Sequence, residues 1–501
     1  WDHPYLTMDF RFEANIIRTL GQVLKNGYLY QGQKPVHWCI SCSSALAEAE
    51  VEYEERVSPA VDVMFHAVDP QAMAKVFKLQ DPFSDIHAVI WTTTPWTLPA
   101  NEAISVHPDL VYDLIETPRG ALILAHDLAE GALSRYGLDG TLLGQAQGRD
   151  LENLYFQHPF HDRTVPIVLG DHVTLEAGTG LVHTAPAHGL DDYIVGSRYQ
   201  LRVDNPVEAN GHFRCNEPLV GGIEVFDSNK IIIDKLCSNG RLLSQLQHKH
   251  SYPHCWRHKT PIIFRATSQW FIGMDMDNNP TLRHIAGTAV AVTAFYPEWG
   301  RARLDGMIAN RPDWCISRQR SWGVPIPLFV HNETQAIHPM SVHLIEEVAK
   351  RVEQAGIDAW FELDCAELLK DEAKEYHKLT DTLDVWFDSG VTHACVLKVR
   401  EDLSHPADMY LEGSDQHRGW FQSSLLTGCA TDGYAPYHGL LTHGFVVDGK
   451  GLKMSKSRGN VIPPQKIMNS LGADILRLWV ASTDYAGEMS ISDVILKRVV
   501  E

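Results

Sequence analysis

The sequence contains little cysteine and no long apolar run. Nine cysteines occur among 501 residues, and an odd number scattered along so long a chain argues against a disulfide framework. No stretch of about 18 apolar residues is present, which excludes a transmembrane helix. The first residues show neither the basic nor the apolar segment of a signal peptide. These absences predict a cytoplasmic protein without membrane contact.

An excess of basic charge is also missing. Lys and Arg number 43 against 63 Asp and Glu, so the formal charge is −20. This balance argues against nonspecific nucleic-acid binding, although a local basic groove remains compatible with it. Apolar residues make up 44% and charged residues 21%, which is typical of a globular protein. The length suggests about three domains.

Internal repeats are not apparent, which excludes solenoids and propellers. Short apolar runs, such as residues 88–91 and 120–124, are typical of buried strands. They alternate with amphipathic stretches, and residues 341–356 and 473–482 are predicted to be helices. This alternation predicts an α/β fold.

Two pairs of potential metal ligands lie about 200 residues apart. Cys39 and Cys42 form one pair, and Cys255 and His258 form the other. A Cys-x-x-Cys motif alone is more often a redox site, but two such pairs can close a Cys3His zinc site if the chain returns to the same place. His254 is an alternative ligand. The segment between the pairs then becomes an inserted α/β domain.

The other six cysteines are predicted to be small buried hydrophobic residues. They are Cys215, Cys237, Cys315, Cys365, Cys395 and Cys429.

The string KMSKS at residues 453–457 lies between Gly451 and Gly459. Its two lysines and two hydroxyls can surround a polyphosphate and match the charge that develops on the leaving group. Flanking glycines allow such a loop to close and reopen. The alternative is a solvated basic turn, which the full string between glycines disfavours.

Five strings together resemble the class I aminoacyl-tRNA synthetases, and in particular the bacterial isoleucyl enzymes, over nearly the whole chain. They are KMSKS, WTTTPWTLPAN (91–101), NRPDWCISRQR (310–320), DVWFDSG (384–390) and EGSDQHRGWF (412–421). Valyl and leucyl relatives usually carry Arg where Thr94 stands. The first signature of the family, His-Ile-Gly-His, is absent, and we expect it and an anticodon-binding region to lie outside this fragment.

The resemblance implies a synthetic site that uses ATP with magnesium. Glu412 would meet the amino group of the amino acid, since a carboxylate suits an ammonium ion. Asp415 and Gln416 would approach the ribose or the same amino acid, and Trp386 would line the side-chain pocket. In the KMSKS loop Lys456 would contact the phosphates, assisted by Lys453.

A second constellation resembles the editing pocket of the family. Hydroxyl and amide side chains crowd one strand end, and an imidazole and a carboxylate follow downstream: Thr92, Thr93, Thr94, Thr97, Asn101, His183 and Asp192. Thr94 and Asp192 are the predicted catalytic members, and the others would bind the terminal adenosine. No nucleophile elbow is present, so water attack on an ester is favoured over an acyl-enzyme. Without the resemblance, β-propensity and a structural histidine would explain these residues.

The implied fold is a Rossmann-like nucleotide-binding domain interrupted by a mixed β/α editing domain. Residues 1–50 would hold part of the catalytic domain and the first metal pair, and residues 51–250 the editing domain. Residues 251–440 would hold the second catalytic half with the second metal pair. Residues 441–501 would hold the KMSKS loop and the start of a helical stem.

The implied function is ATP-dependent joining of isoleucine to its tRNA, with hydrolysis of mischarged valyl-tRNA. We expect a monomer whose partners are this tRNA, isoleucine and ATP. Three alternatives remain: a valyl or leucyl relative, a stand-alone deacylase, and a zinc-dependent RNA-binding module.

Individual RNA contacts are not determined by the sequence. Basic and aromatic side chains occur together in two segments and could meet an RNA acceptor end, or equally be surface charge over core aromatics. They are Trp256, Arg257, His258 and Lys259, and Trp314, Arg318, Arg320 and Trp322.

Overall fold

The computed structural model describes residues 4–79, 83, 85–278, 280–455 and 458–501. The chain forms two compact units: an inserted unit, Gln31–Gln269, and an outer unit, Trp1–Tyr30 with Trp270–Glu501. The chain passes between them inside two strands, Leu29–Cys39 and Ile263–Ile272. Both predicted metal pairs therefore fall within the inserted unit, and the predicted four-part division remains a prediction.

The inserted unit is built on a mixed sheet in which ten strands are described. In chain order they are Val51–Ala67, Ile86–Thr92, Ala103–Val106, Val111–Thr117, Gly120–Ala125, Thr141–Gln147, Tyr155–Gln157, Thr164–Leu169, Leu181–Thr184 and Leu242–Cys255. A short strand, Ser44–Leu46, pairs separately with Leu29–Cys39. Helices flank the sheet at Pro70–Val76, His126–Tyr136, Leu190–Arg198 and Val225–Ser238.

Apolar runs form the centre of this sheet, as predicted. Ile86–Thr92 and Gly120–Ala125 are neighbouring parallel strands, and their aliphatic side chains are almost entirely buried. Helix His126–Tyr136 packs Ala129 and Ala132 into the same cluster. It ends at Gly137, whose φ of +65° suits glycine.

The longest strand pair joins segments that are far apart in the sequence. Val51–Ala67 runs antiparallel to Leu242–Cys255, with Val51 opposite Cys255 and Val63 opposite Leu242. Cys255, the last residue of its strand, lies opposite Val51, which follows Cys39 and Cys42 closely in the sequence. This register therefore returns the chain to the region of the first cysteine pair.

The outer unit contains a sheet of three parallel strands, ordered Ala294–Tyr296, Gly439–His443 and Tyr410–Gly413. Its described helices include Phe10–Lys25, Leu282–Val292, Trp299–Ala309, Ser341–Ala355, Asp358–Phe361, Cys365–Leu369, Val385–Gly390, Trp420–Asp432, Pro464–Leu471, Ala473–Ser482 and Asp493–Val500. Shorter strands lie at Trp314–Cys315, Ser317–Arg318, Phe329–His331, Tyr376–Lys378, Thr382–Leu383, Val446–Val447 and Met489–Ser490. Side chains at the carboxyl ends of parallel strands meet at one edge, where α/β proteins bind ligands.

Both helices predicted from periodicity are present. Ser341–Ala355 buries Leu344, Val348 and Val352 and ends at Gly356, whose φ is +75°. Ala473–Ser482 buries Trp479, but Leu478, which belongs to the apolar pattern that predicted this helix, is 54% exposed.

Among the described residues, no helix combines the length and the apolar character needed to cross a bilayer.

Candidate active sites and metal centre

The carboxyl edge of the parallel sheet carries three of the predicted synthetic-site residues. Glu412 is the next-to-last residue of strand Tyr410–Gly413 and is exposed. The chain then forms a short turn that holds Asp415 and Gln416. Gln416 donates from Nε2 to Asp415 Oδ2 at 3.2 Å and accepts the Trp420 N–H at Oε1 over 2.9 Å. These bonds fix the Gln416 amide against the start of the next helix.

Trp386 lies against the same turn. Helix Val385–Gly390 is capped by Asp384, whose carboxylate accepts the Trp386 N–H at 3.1 Å. A Cβ on Gly419 would lie 2.4 Å from Gln416 Oε1 and 2.7 Å from the Trp386 ring. The absence of a side chain at position 419 therefore lets the Trp386 ring and the Gln416 amide approach the same point of the backbone.

The carboxylate of Asp384 is also one half of a buried ion pair. Arg318 Nη2 lies 3.0 Å from Asp384 Oδ2, and both side chains are fully buried. The Trp314 indole donates to the same carboxylate at 2.9 Å. Burial of Trp314 favours the second interpretation, a core aromatic, for that residue, and the buried Arg318 is neither an RNA contact nor surface charge. Trp256 and Trp322 are exposed.

The KMSKS loop is described up to Ser455, and Lys456 and Ser457 lie outside the described residues. Asn460 anchors the loop, because its Oδ1 accepts the Ser455 N–H at 2.9 Å and its Nδ2 donates to Asp448 at 2.9 Å. The hydrogen bond from Asn460, together with those from the N–H groups of Leu452 and Lys450, lowers the pKa of Asp448. Lys453 Nζ lies 4.4 Å from the centre of the Phe445 ring.

A hydrogen-bonded cluster of hydroxyls lies at the end of strand Ile86–Thr92. Thr92 Oγ1 accepts the Thr94 N–H at 3.1 Å and lies 3.2 Å from Thr94 Oγ1. Thr94 Oγ1 is in turn 3.4 Å from Thr97 Oγ1. Thr93, between the first two, is half-buried.

His183 completes this cluster from a distant part of the chain. Its Nε2 lies 2.7 Å from Thr97 Oγ1, and its Nδ1 lies 3.3 Å from Asn101 Nδ2. The strand that carries it, Leu181–Thr184, contacts Ile86–Thr92 although the two are far apart in strand order. Burial lowers the pKa of His183 to about 4, so the imidazole is neutral at pH 7.

Asp192 lies near the same strand. It is in the first turn of helix Leu190–Arg198, and its Oδ2 accepts the Ala185 N–H at 3.0 Å. Burial raises its pKa to about 7, and the hydrogen bond from Ala185 opposes that rise. Hydrogen-bond contacts bring together five of the predicted residues directly: Thr92, Thr94, Thr97, Asn101 and His183. Asp192 is connected to them through its hydrogen bond with the N–H of Ala185, which is two residues after His183.

The four predicted metal ligands converge in the inserted unit. The sulfurs of Cys39, Cys42 and Cys255 lie 3.8, 3.2 and 3.8 Å from His258 Nδ1, and all four donor atoms lie within 4.8 Å of one another. His254 instead places its Nδ1 2.8 Å from the Tyr252 carbonyl oxygen. The separations and the Cys3His donor set fit a tetrahedral structural zinc site.

The remaining cysteines follow the prediction only in part. Cys315, Cys395 and Cys429 are buried, and Cys365 is half-buried. Cys215 and Cys237 are exposed, so the prediction of buried hydrophobic residues is wrong for these two. Both lie near chain turns or helix ends, where sequence patterns do not report burial.

Comparisons with known proteins identify the family. The model of the family described as "tRNA synthetases class I (I, L, M and V)" matches residues 1–492. The chain therefore belongs to the class I tRNA synthetases, and its fold is the mixed α/β fold of that class.

Curated relatives that are highly similar to the chain are named as ligases for one amino acid, isoleucine. The chain is 64% identical to the isoleucine–tRNA ligase of Thiobacillus denitrificans, and the match covers 100% of this chain and 55% of the relative. It is 62% identical to the isoleucine–tRNA ligases of Nitrosomonas europaea and Dechloromonas aromatica, again over 100% of this chain and 54% and 55% of those proteins. The chain thus spans about half the length of these relatives.

Proposed function

We propose that this chain is the part of an isoleucine–tRNA ligase that carries the second half of the synthetic site and an editing site. The complete enzyme would join isoleucine to its tRNA through an adenylate formed from ATP with magnesium. It would act as a monomer in the cytoplasm. The hydroxyl and imidazole cluster around His183, within a chain that is 64% identical throughout to such a ligase, carries the proposal.

In the synthetic half, each side chain would meet one part of the adenylate. The exposed Glu412 carboxylate would pair with the ammonium group of isoleucine. Asp415 and the fixed Gln416 amide would hydrogen-bond the ribose or the amino acid. The Trp386 ring, held against Gly419, would provide the flat apolar wall that measures the aliphatic side chain. Lys453 and Lys456 would neutralise the departing pyrophosphate.

In the inserted unit, the same reasoning leads to hydrolysis of an ester. The neutral His183 and the hydroxyls of Thr92 and Thr97 can hold the terminal ribose by hydrogen bonds without adding a charge. Thr94 would position the attacking water, and ionised Asp192 would bind the α-ammonium group of the misattached amino acid. The attacking water would add its hydroxyl to the acyl carbon of the valyl ester, and the bond between that carbon and the ribose oxygen would break. The other proton of the water would pass to the freed ribose oxygen.

A second site is needed because the first discriminates poorly. One missing methylene is worth only about 1–3 kcal/mol, and the isoleucine–valine pair in this class of enzyme is the standard worked example. A pocket that is too small for isoleucine but admits valine would remove the error.

We also propose that Cys39, Cys42, Cys255 and His258 hold zinc in a structural role. Four protein donors leave no open position for water, and two of the cysteines are fully buried. The metal would tie the end of the long strand pair to the preceding turn.

Deacylation of valyl-tRNA and isoleucyl-tRNA, both made from the isoleucine tRNA, tests the editing assignment. Valyl-adenosine serves as a third substrate, because it needs no other contact with the tRNA. We expect selective loss of the two valyl esters, and a chain with Thr94→Ala and Asp192→Ala should be inactive on both.

Equal hydrolysis of the isoleucyl ester would contradict the size selection. Folded protein that leaves valyl-adenosine and valyl-tRNA intact would contradict the editing site itself. A valyl or leucyl ligase would instead hydrolyse its own characteristic mischarged ester, such as threonyl-tRNA made from the valine tRNA.

A further inference from the structure

A second group of metal-binding side chains lies in the inserted unit. His66 is near the end of strand Val51–Ala67, and the sheet register places it directly opposite His87 on Ile86–Thr92. Asp85 immediately precedes that second strand. The three donor atoms lie within 4.8 Å of one another.

We propose that His66, Asp85 and His87 form a binding site for a divalent transition-metal ion, with Zn²⁺ as the fitting occupant. Two imidazoles and one carboxylate are a donor set that suits Zn²⁺ and related ions rather than Ca²⁺ or Mg²⁺. The site is independent of the proposed function.

The distances are those of ligands arranged around a small ion. His66 Nδ1 and His87 Nε2 lie 3.6 and 2.8 Å from Asp85 Oδ1. Zinc bonds of about 2.0–2.1 Å in a tetrahedron place neighbouring donor atoms about 3.3 Å apart, so the two separations lie on either side of the required value. The two imidazole rings are 5.1 Å apart and tilted by 53°.

One ligand atom lacks a partner. His66 Nδ1 is buried and has no hydrogen-bond partner in the described part of the chain. A buried polar atom without a partner is costly, and a metal ion would satisfy it. The partial exposure of the His66 and Asp85 side chains, 34% and 58%, leaves access for the ion and for water as a further ligand.

The backbone is adapted to this arrangement at Gly120. A Cβ at this position would lie 2.8 Å from Asp85 Oδ2 and 3.0 Å from the His87 ring. The φ of Gly120 is +92°, which also favours glycine. A residue with a side chain would push the carboxylate away from His87.

Arg241 is the neighbour that opposes binding. Its Nη1 lies 3.4 Å from His87 Nδ1, and while the guanidinium donates to that atom, the imidazole proton resides on Nε2. Metal binding at Nε2 moves this proton to Nδ1, which can then no longer accept from Arg241. The ion therefore displaces the arginine contact and must overcome its positive charge.

The new site is separate from the other two in this unit. Five residue steps along strand Ile86–Thr92 separate His87 from Thr92, which corresponds to about 17 Å. It contains no sulfur ligand, so Co²⁺ distinguishes it from the cluster of three cysteines and His258. Thiolate ligands give Co²⁺ an intense near-ultraviolet charge-transfer band, whereas nitrogen and oxygen ligands give only weak visible bands.

Titration of the metal-free 501-residue chain with Co²⁺, followed by equilibrium dialysis with Zn²⁺, tests the proposal. We expect one ion with the thiolate band and a second ion without it whose binding depends on His66 and Asp85. His66→Ala and Asp85→Asn should each weaken the second ion by at least about 100-fold, since loss of even the partners of ligands costs about 10–100-fold. Both positions are partly exposed, and thermal unfolding shows that each variant is folded.

Two further variants make the outcome decisive. His212→Ala removes a half-buried histidine of the same unit and should leave both ions bound. Arg241→Gln should tighten the second ion, because it removes the opposing charge. A wild-type chain that binds only the thiolate ion would overturn the proposal, as would a second ion that both His66→Ala and Asp85→Asn leave unchanged.

Discussion

At the scale of single residues, Asp384 illustrates how partners decide the state of a charge. Its carboxylate accepts hydrogen bonds from the Trp314 indole and the Trp386 N–H, and it pairs with Arg318 in a fully buried position. The same carboxylate caps the helix that carries Trp386, the predicted wall of the side-chain pocket. Its geometry therefore positions a predicted binding residue without any contact with substrate.

Removing the Arg318 side chain should lower the free energy of unfolding. Arg318→Met leaves an uncompensated buried carboxylate, and such a loss costs about 3–5 kcal/mol. Urea unfolding of the chain measures the difference. Arg477→Met removes the arginine of an exposed pair, in which Arg477 and Asp474 are 81% and 89% exposed, and should change nothing measurable. Equal stability of the two variants would contradict the importance of the buried pair.

The half-buried carboxyl group of Asp192 leads to a prediction about pH. Its pKa is about 7 in the folded chain and about 3.9 in an unfolded one. Because burial favours the protonated form, the contribution of this group to stability is greatest below about pH 4 and is lost as the pH rises through 7.

Deacylation should change in the opposite direction. Only ionised Asp192 can bind the ammonium group, so hydrolysis of valyl-tRNA above the spontaneous rate should rise about tenfold between about pH 6 and 8. The pH profile of Asp192→Asn should be flat and low. A wild-type profile without this rise would show that the carboxyl group does not bind the ammonium group in its ionised form.

At the scale of elements, local and distant pairing differ in how far they can be predicted. Apolar runs at Ile86–Thr92 and Gly120–Ala125 predict buried strands because alternation and composition are local properties. The pairing of Val51–Ala67 with Leu242–Cys255 joins segments about 190 residues apart, and much of its surface is exposed. Only the spacing of the metal ligands hinted that these segments meet.

The cysteine cluster provides a test of that pairing. Cys255→Ala removes a buried ligand at the end of the strand pair and should lower the zinc content by one ion per chain. It should also lower the unfolding temperature, because binding energy at a structural site is folding energy. Cys237→Ala, at an exposed cysteine of the same unit, is the matched control. Zinc analysis and thermal unfolding measure both effects, and an unchanged metal content in Cys255→Ala would exclude the cluster as a zinc site.

At the scale of the whole molecule, the two units carry the two proposed activities separately. The synthetic residues Glu412, Asp415, Gln416, Trp386 and Lys453 lie in the outer unit, and the Thr94 and His183 cluster lies in the inserted unit. Each cluster is held by hydrogen bonds within its own unit. Separate units predict that one activity can be lost without the other.

Two variants of the full-length ligase test this separation. Lys456→Ala should lower isoleucine-dependent ATP–pyrophosphate exchange by about 100-fold, because it removes the charge that we propose stabilises the departing pyrophosphate, and it should leave valyl-tRNA hydrolysis unchanged. Thr94→Ala with Asp192→Ala should do the reverse. Parallel loss of both activities in either variant would mean that the two sites are coupled.

The sequence by itself determined the family, through its motifs, and it predicted two buried strands and two helices that the structure contains, because composition and periodicity are local properties. The roles of the residues in the two candidate sites remain predictions. The exposure of Cys215 and Cys237, the burial of Arg318 and the second group of potential metal ligands at His66, Asp85 and His87 were decided only by the tertiary structure. His66 and His87 become neighbours through strand register, and Arg318 becomes neutralised through Asp384, which lies 66 residues away. Such properties depend on which distant segments share a dielectric environment and a hydrogen-bond network, and no local pattern of residues encodes that.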